Sequence, residues 1–222
     1  MDELLQTPEG KKELAAIKSG DEESKNDYQT ESFAGCTACV ALMVKNELYV
    51  ANAGDSRCVI YSNGEAIALS EDHKPDLDIE RERIQKAGGY IIDGRINGNL
   101  NLSRAIGDLE YKKNTDLKPG EQLISAVPDV QHKTLKPEDE LLVLGCDGIW
   151  ECLTNQQILE FLHEKLQEGK SASKAVEELL DNILAPDTSS KRSHFLFRTN
   201  KLFSWCWLRQ YDLYIGYTQV KK

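Results

Sequence analysis

The 222-residue sequence contains no apolar run approaching the length of about 20 residues that a membrane-spanning helix needs. No secretory signal opens the chain, and no segment repeats with a period of about 20–50 residues. Basic charge is also short: 27 Lys/Arg face 37 Asp/Glu, for a net charge of −10. That balance argues against nucleic acid and anionic membrane as partners, while leaving room for divalent cations wherever carboxylates converge. The six cysteines (36, 39, 58, 146, 152 and 206) stand mostly in apolar contexts and read as buried, reduced thiols. Cys36-x-x-Cys39 has no second half, and positions three apart on a strand point to opposite faces, so a zinc or redox role is disfavoured. Together these features predict a cytoplasmic and/or nuclear chain.

Periodicity supplies the elements. Leu4, Leu5, Leu14 and Ile17 fall at helical spacing, interrupted by Pro8-Glu9-Gly10, and residues 20–32 are polar and acidic. Short β-rich runs then follow: CVALMV, ELYVANA, RCVIYS and EAIALS. Lys45-Asn46, Gly54-Asp55-Ser56 and Asn63-Gly64 separate them, and Asn-Gly between apolar runs is a strong hairpin signal. Residues 38–70 are predicted to form one antiparallel meander. A helix is expected over Leu77–Ala87, with Leu77, Ile84 and Ala87 buried, 80–83 wet, and Gly88-Gly89 as its stop. Strands follow near Val130 and over 140–146. Thr154, with Gln157 in capping-box position, opens a helix that buries Ile158, Phe161, Leu162 and Leu166. Another helix spans Ala172–Leu184.

Composition breaks after Pro186-Asp187-Thr188. Residues 191–222 hold seven Lys/Arg and one Asp, and eight of the sixteen aromatic residues lie between Phe195 and Tyr217. Three parts are expected: a helix and acidic loop (1–34), the main domain (35–188), and a basic aromatic tail (189–222).

Three aspartate turns end or join apolar segments: Ala53-Gly54-Asp55-Ser56-Arg57, Ala105-Ile106-Gly107-Asp108 and Gly145-Cys146-Asp147-Gly148. A carboxylate leaving a strand end is held on rigid backbone, which suits a hard-cation ligand. Simple turn chemistry is the plainer reading of any one of them.

The stretches VANAGDSRCVI, SEDHKPD, ERERIQKAGGYI, GRINGNLNLSRAIGD, SAVPDV and LLVLGCDGIWECL carry a resemblance. In order and spacing they resemble the metal-dependent type-2C (PPM-type) protein serine/threonine phosphatases, most nearly plant and protist members, from about Gly35 to Thr188. The resemblance implies an α+β fold, an antiparallel β-sandwich flanked by helices, here incomplete. It implies Mg²⁺ or Mn²⁺ as cofactor, phosphoprotein substrates, and hydrolysis of phosphoserine and phosphothreonine by a metal-bridged water. Asp147 matches the family's strand-end metal ligand, with Gly148 providing the turn that exposes it. Asp55 matches an aspartate used for a further metal, and Glu151 stands where many members place another Asp for that metal. Catalytic and substrate-binding residues remain unassigned.

The family's phosphate-binding Arg and its Asp-Gly-His-Gly segment have no match, the four histidines being His73, His132, His163 and His194. The Asp-Asn-Met-Thr strand, with its metal-ligating aspartate, is missing too. Codons for Trp207 to Leu213, shifted by one base, can encode Gly-Cys-Asp-Asn-Met-Thr, so an out-of-frame tail is one expectation. Three readings stand: a phosphatase, a pseudophosphatase acting as a binding module, and an inactive fragment. Arg57 and Arg104 are expected to pair with turn carboxylates, His73 to hydrogen-bond within a loop, and Trp150 to sit in the core.

Overall fold

The computed structural model describes residues 1–19 and 34–183 and the backbone of 207–208. The acidic loop and the basic aromatic tail, apart from 207–208, lie outside the described residues, as do Cys206 and the last residue of the helix expected to reach Leu184. Two compact units emerge. Among the described residues, one comprises 1–19, 34–37 and 73–128, and the other 38–72, 129–183 and 207–208.

In the second unit, β2 (Ala38–Val44), β3 (Glu47–Ala53) and β9 (Asp129–Thr134) form one antiparallel sheet in the order β2-β3-β9. The other sheet holds β4 (Arg57–Ser62), β5 (Glu65–Ala68), β10 (Asp139–Gly145) and the short β11 (Trp207–Leu208), in the order β11-β10-β4-β5. The strands of 38–70 are those expected, but they do not make a single meander. The chain leaves one sheet after β3 and enters the other at β4, and the crossing is made by Gly54-Asp55-Ser56. Turn chemistry marks where a chain bends, not which sheet it rejoins. Asn63 and Gly64, both at positive φ (51° and 83°), close the β4–β5 hairpin.

The unbroken apolar run of β10 has a direct cause. Leu142 and Leu144 pack with Leu48, Val50, Cys58 and Ile60 between the sheets. Leu141 and Val143 point the other way, against Val59, Tyr61 and the helices α5 (Asn155–Gln167) and α6 (Ala172–Ile183). A strand covered on both faces has no polar side to alternate with. Thr154 caps α5 as expected, and its hydroxyl accepts from the Gln157 N–H. Trp150 and Ile149, from the one-turn helix α4 (Asp147–Trp150), join this core. By contrast, β2 and β9 turn Val40, Leu42, Val44 and Val130 outward, each more than half exposed.

In the first unit, α1 (Asp2–Gln6) and α2 (Pro8–Ser19) are separate helices. Pro8-Glu9-Gly10 is the first turn of α2 rather than a plain interruption, capped by the Thr7 hydroxyl, which accepts from the Gly10 N–H (3.0 Å). Two-residue strands β1 (Gly35–Cys36) and β8 (Ile106–Gly107) pair, as do β6 (Ile91–Ile92) and β7 (Arg95–Ile96). Ile84, Ile96, Leu102, Ala105 and Ile124 form this unit's core.

Helix α3 (Asp78–Lys86) corrects one expectation. Glu80, assigned to the wet side, is fully buried. Arg104 Nε and Nη2 both donate to Glu80 Oε1 (2.9 and 2.6 Å), and Arg83 pairs with Oε2. Two guanidinium groups turn a position that periodicity calls polar into an interior one.

The cysteines also differ from expectation. None of the five described cysteines is in a disulfide, but only Cys58 is buried. Cys36, Cys39 and Cys146 are partly exposed, and Cys152 is exposed at the end of α4.

Candidate functional site

The ladder between β4 and β10 ends with Arg57 opposite Gly145. Asp55 lies two residues before Arg57, and Asp147 two residues after Gly145. Both therefore leave the sheet at the same end of the same strand pair. Asp55 is buried (2% exposed), Asp147 half-buried and Glu151 exposed. The Glu151 N–H donates to the Asp147 carbonyl (2.9 Å), so these two are one helical turn apart on α4 and its cap. Among the described residues, no three His, Cys, Asp or Glu side chains come together as a set able to hold a metal ion. The donor chemistry suits Mg²⁺ or Mn²⁺, which take one or two carboxylates and retain waters.

Gly145 has a steric reason to be glycine. A Cβ there would meet Ile149 Cδ1 at 2.5 Å and Trp150 Nε1 at 3.3 Å. Gly148, read from sequence as the residue that makes the exposing turn, sits within α4 with nothing inside 4 Å of an added Cβ. The glycine that packing requires precedes the aspartate.

Arg57 meets a carboxylate, but that of Asp72 in the segment after β5 rather than one of the three aspartate turns. Its Nε and Nη2 donate to the two oxygens of Asp72 (2.9 and 2.8 Å), a bidentate pair that raises the guanidinium's pKa. Nη1 donates to Asn155 Oδ1 (2.6 Å). Arg104 pairs with helical Glu80 instead of a turn aspartate, and its Nη1 also donates to the Val127 carbonyl (3.1 Å). His73 is buried, its carbonyl accepting from the Ser103 N–H (3.0 Å).

Sequence reasoning missed Asn52. It is 1% exposed, and its Nδ2 donates to the carbonyls of Gly54 (3.0 Å) and Glu71 (2.8 Å). Its Oδ1 is buried with no protein partner. The available signal was a polar residue at an inward β3 position, two before the glycine of the turn.

Asp108, the carboxylate of the remaining turn, belongs to the first unit and is 9% exposed. Gly35 packs so closely that an added Cβ would lie 2.2 Å from its carboxyl carbon. Nearby, Asp2 accepts from the Gly107 N–H (2.9 Å) and from Lys112 Nζ, tying α1 to β8.

The fold is an antiparallel sandwich with helices over one sheet, and two aspartates leave it at one strand-pair end. A family profile described as Protein phosphatase 2C matches residues 2–192. A Paramecium tetraurelia "Probable protein phosphatase 2C 4" is 52% identical over 194 residues, covering 86% of this chain and 62% of the relative. A rice "Probable protein phosphatase 2C 11" is 56% identical over 154 residues, covering 69% of this chain and 42% of the relative. A crystal structure of a Toxoplasma gondii phosphatase is 35% identical with a TM-score of 0.57, over 62% of this chain and 43% of that one. The chain belongs to the protein phosphatase 2C family. It spans about 62% of the length of the Paramecium relatives it matches.

Proposed function

We propose that this chain is part of a metal-dependent phosphatase acting on phosphoserine and phosphothreonine in proteins, with Asp147 and Asp55 as cation ligands and Glu151 as a peripheral one. The observation that carries this reading is the paired departure of Asp55 and Asp147 from one strand-pair end, within a family of protein phosphatases. Mg²⁺ or Mn²⁺ would supply positive charge to the phosphoryl oxygens and acidify a water. The chain's own contribution is rigidity. Asp55 is fixed by a buried turn, and Asp147 starts a helix whose next residues are locked in the core. Substrates are phosphoproteins, and the acidic composition suits neither nucleic acid nor anionic membrane. No described helix is long and apolar enough to cross a membrane. A cytoplasmic and/or nuclear setting is part of the same proposal.

The test is Mn²⁺-dependent release of phosphate from a phosphothreonine peptide, compared with Asp147→Asn. Equal rates in the two proteins would refute the assignment. The alternative reading is a binding module or an inactive fragment. Phosphopeptide binding without turnover under saturating Mn²⁺ is its signature.

A further inference from the structure

We propose that Arg57 is a positioning residue that holds the Asp55 turn and the Asp147–Glu151 turn in fixed relation, without itself touching a cation. The inference rests on the reading of those carboxylates as cation ligands.

The guanidinium is engaged along its edge and on its face. Asp72 takes Nε and Nη2, and Asn155, the first residue of α5, takes Nη1. The guanidinium carbon lies 5.4 Å from the ring centroid of Trp150. Trp150 Nε1 in turn donates to the Gly145 carbonyl (2.8 Å), and Gly145 is the residue facing Arg57 in the ladder. The circuit therefore closes: Arg57, Trp150, Gly145 and back to Arg57. It encloses the stem from which both aspartates leave.

The other flank of the Asp55 turn is held by the same loop. Asn52 Nδ2 bridges the Gly54 and Glu71 carbonyls, one residue before Asp72. The 71–72 segment thus grips the turn on both sides, through Asn52 before Asp55 and Arg57 after it. Below this grip, the Ser70 hydroxyl accepts from the Cys58 N–H (2.8 Å).

Stability is not the whole account of this arrangement. The Arg57 and Asp72 side chains are 26% and 18% exposed, so their bidentate pair stabilises the unit as well as orienting it. What the pair supplies is direction: a planar fork fixes two partners and a stacking face at once. A lysine provides one point charge with neither fork nor plane.

The experiment uses the full chain in four forms: parent, Arg57→Lys, Asp72→Asn and Asp147→Asn. Mn²⁺ affinity is read from the electron paramagnetic resonance signal of free Mn²⁺. Amide hydrogen exchange, followed by mass spectrometry without metal, reads the backbone. We expect Arg57→Lys to shift the melting temperature by no more than about 4 °C. It weakens Mn²⁺ binding at least about tenfold and speeds exchange in 53–56 and 146–153 together, leaving 38–51 unchanged. Asp72→Asn does the same from the other side of the pair, which keeps the test alive should Arg57→Lys fail to fold. Exchange that rises evenly across both sheets, or in only one of the two turns, overturns the proposal. So does unaltered Mn²⁺ affinity beside a parent affinity that Asp147→Asn abolishes. Mn²⁺ binding in the parent that Asp147→Asn leaves untouched refutes the cation-ligand reading instead, and the exchange pattern then decides whether Arg57 couples the turns.

Discussion

Arg57 faces Gly145 across the last rung of the β4–β10 ladder, and Asp55 and Asp147 each stand two residues past that rung. Adjacent strands run about 4.8 Å apart, so the two chains leave the sheet side by side before they diverge. One heads back to β3 in the other sheet, and one enters α4.

The three carboxylates are expected to differ in weight. Asp147→Asn should lower Mn²⁺-dependent phosphopeptide hydrolysis at least about 100-fold, or about 2.7 kcal/mol of transition-state stabilisation. Glu151→Ala should change it less than about threefold, because Glu151 is exposed and sits a turn beyond Asp147. Initial rates across a Mn²⁺ titration check both. Equal losses would mean that Glu151 is a full ligand.

The two glycines around Asp147 should respond in opposite directions. Gly145→Ala forces a methyl group against Ile149 and Trp150 and is expected to cost about 1–3 kcal/mol. Gly148→Ala meets open space inside a helix and should stabilise by about 0.5–1 kcal/mol. Urea unfolding midpoints of the two variants decide it.

Acid should loosen the first unit through Glu80. Burial alone would raise its pKa, but the hydrogen bonds from Arg104 and the charges of Arg83 and Arg104 outweigh it and hold the carboxyl below 4.5. A carboxylate lowered on folding stabilises above the unfolded-state pKa, and that contribution is lost as pH falls from 4.5 through the folded value. Glu80→Gln should cost about 3–5 kcal/mol at neutral pH, because it leaves buried Arg104 and half-buried Arg83 underpaired. It should also flatten the stability profile below about pH 4.5, measured by urea titration at each pH.

Thiol alkylation should follow exposure and charge rather than cysteine count. Burial, then the negative charges of Asp108 and Asp2, raise the Cys36 thiol against an opposing effect of Lys112. Cys152 is exposed and Cys58 fully buried. With iodoacetamide at about pH 8, Cys152 should label first and Cys36 and Cys58 last, as read by peptide mass spectrometry.

The elements were legible wherever one face decides. Thr154 and Gln157 marked the start of α5, Asn63-Gly64 marked a hairpin, and the run of β10 announced a strand. Sheet membership was not legible, because a turn of the type Gly54-Asp55-Ser56 looks the same whether the chain returns to its own sheet or crosses to another. Glu80 was misread because its partner Arg104 lies 24 residues away, beyond any periodic window. The aspartate turns were visible as strand ends. That Asp55 and Asp147 share an end became visible only with the register, which pairs residues far apart in sequence.

That register also orders events in time. The β2–β3 hairpin closes over Lys45 and Asn46 and can form as soon as its own residues meet. The Arg57–Gly145 rung must close a loop of about 90 residues, and loop closure over such separations is entropically costly and slow. During synthesis β4 can pair with β5, but its other edge stays open until β10 has been made. The carboxylate end of this strand pair is thus among the last parts of its unit to form, and a ribosome paused between these two strands holds a chain with half a sandwich and no site.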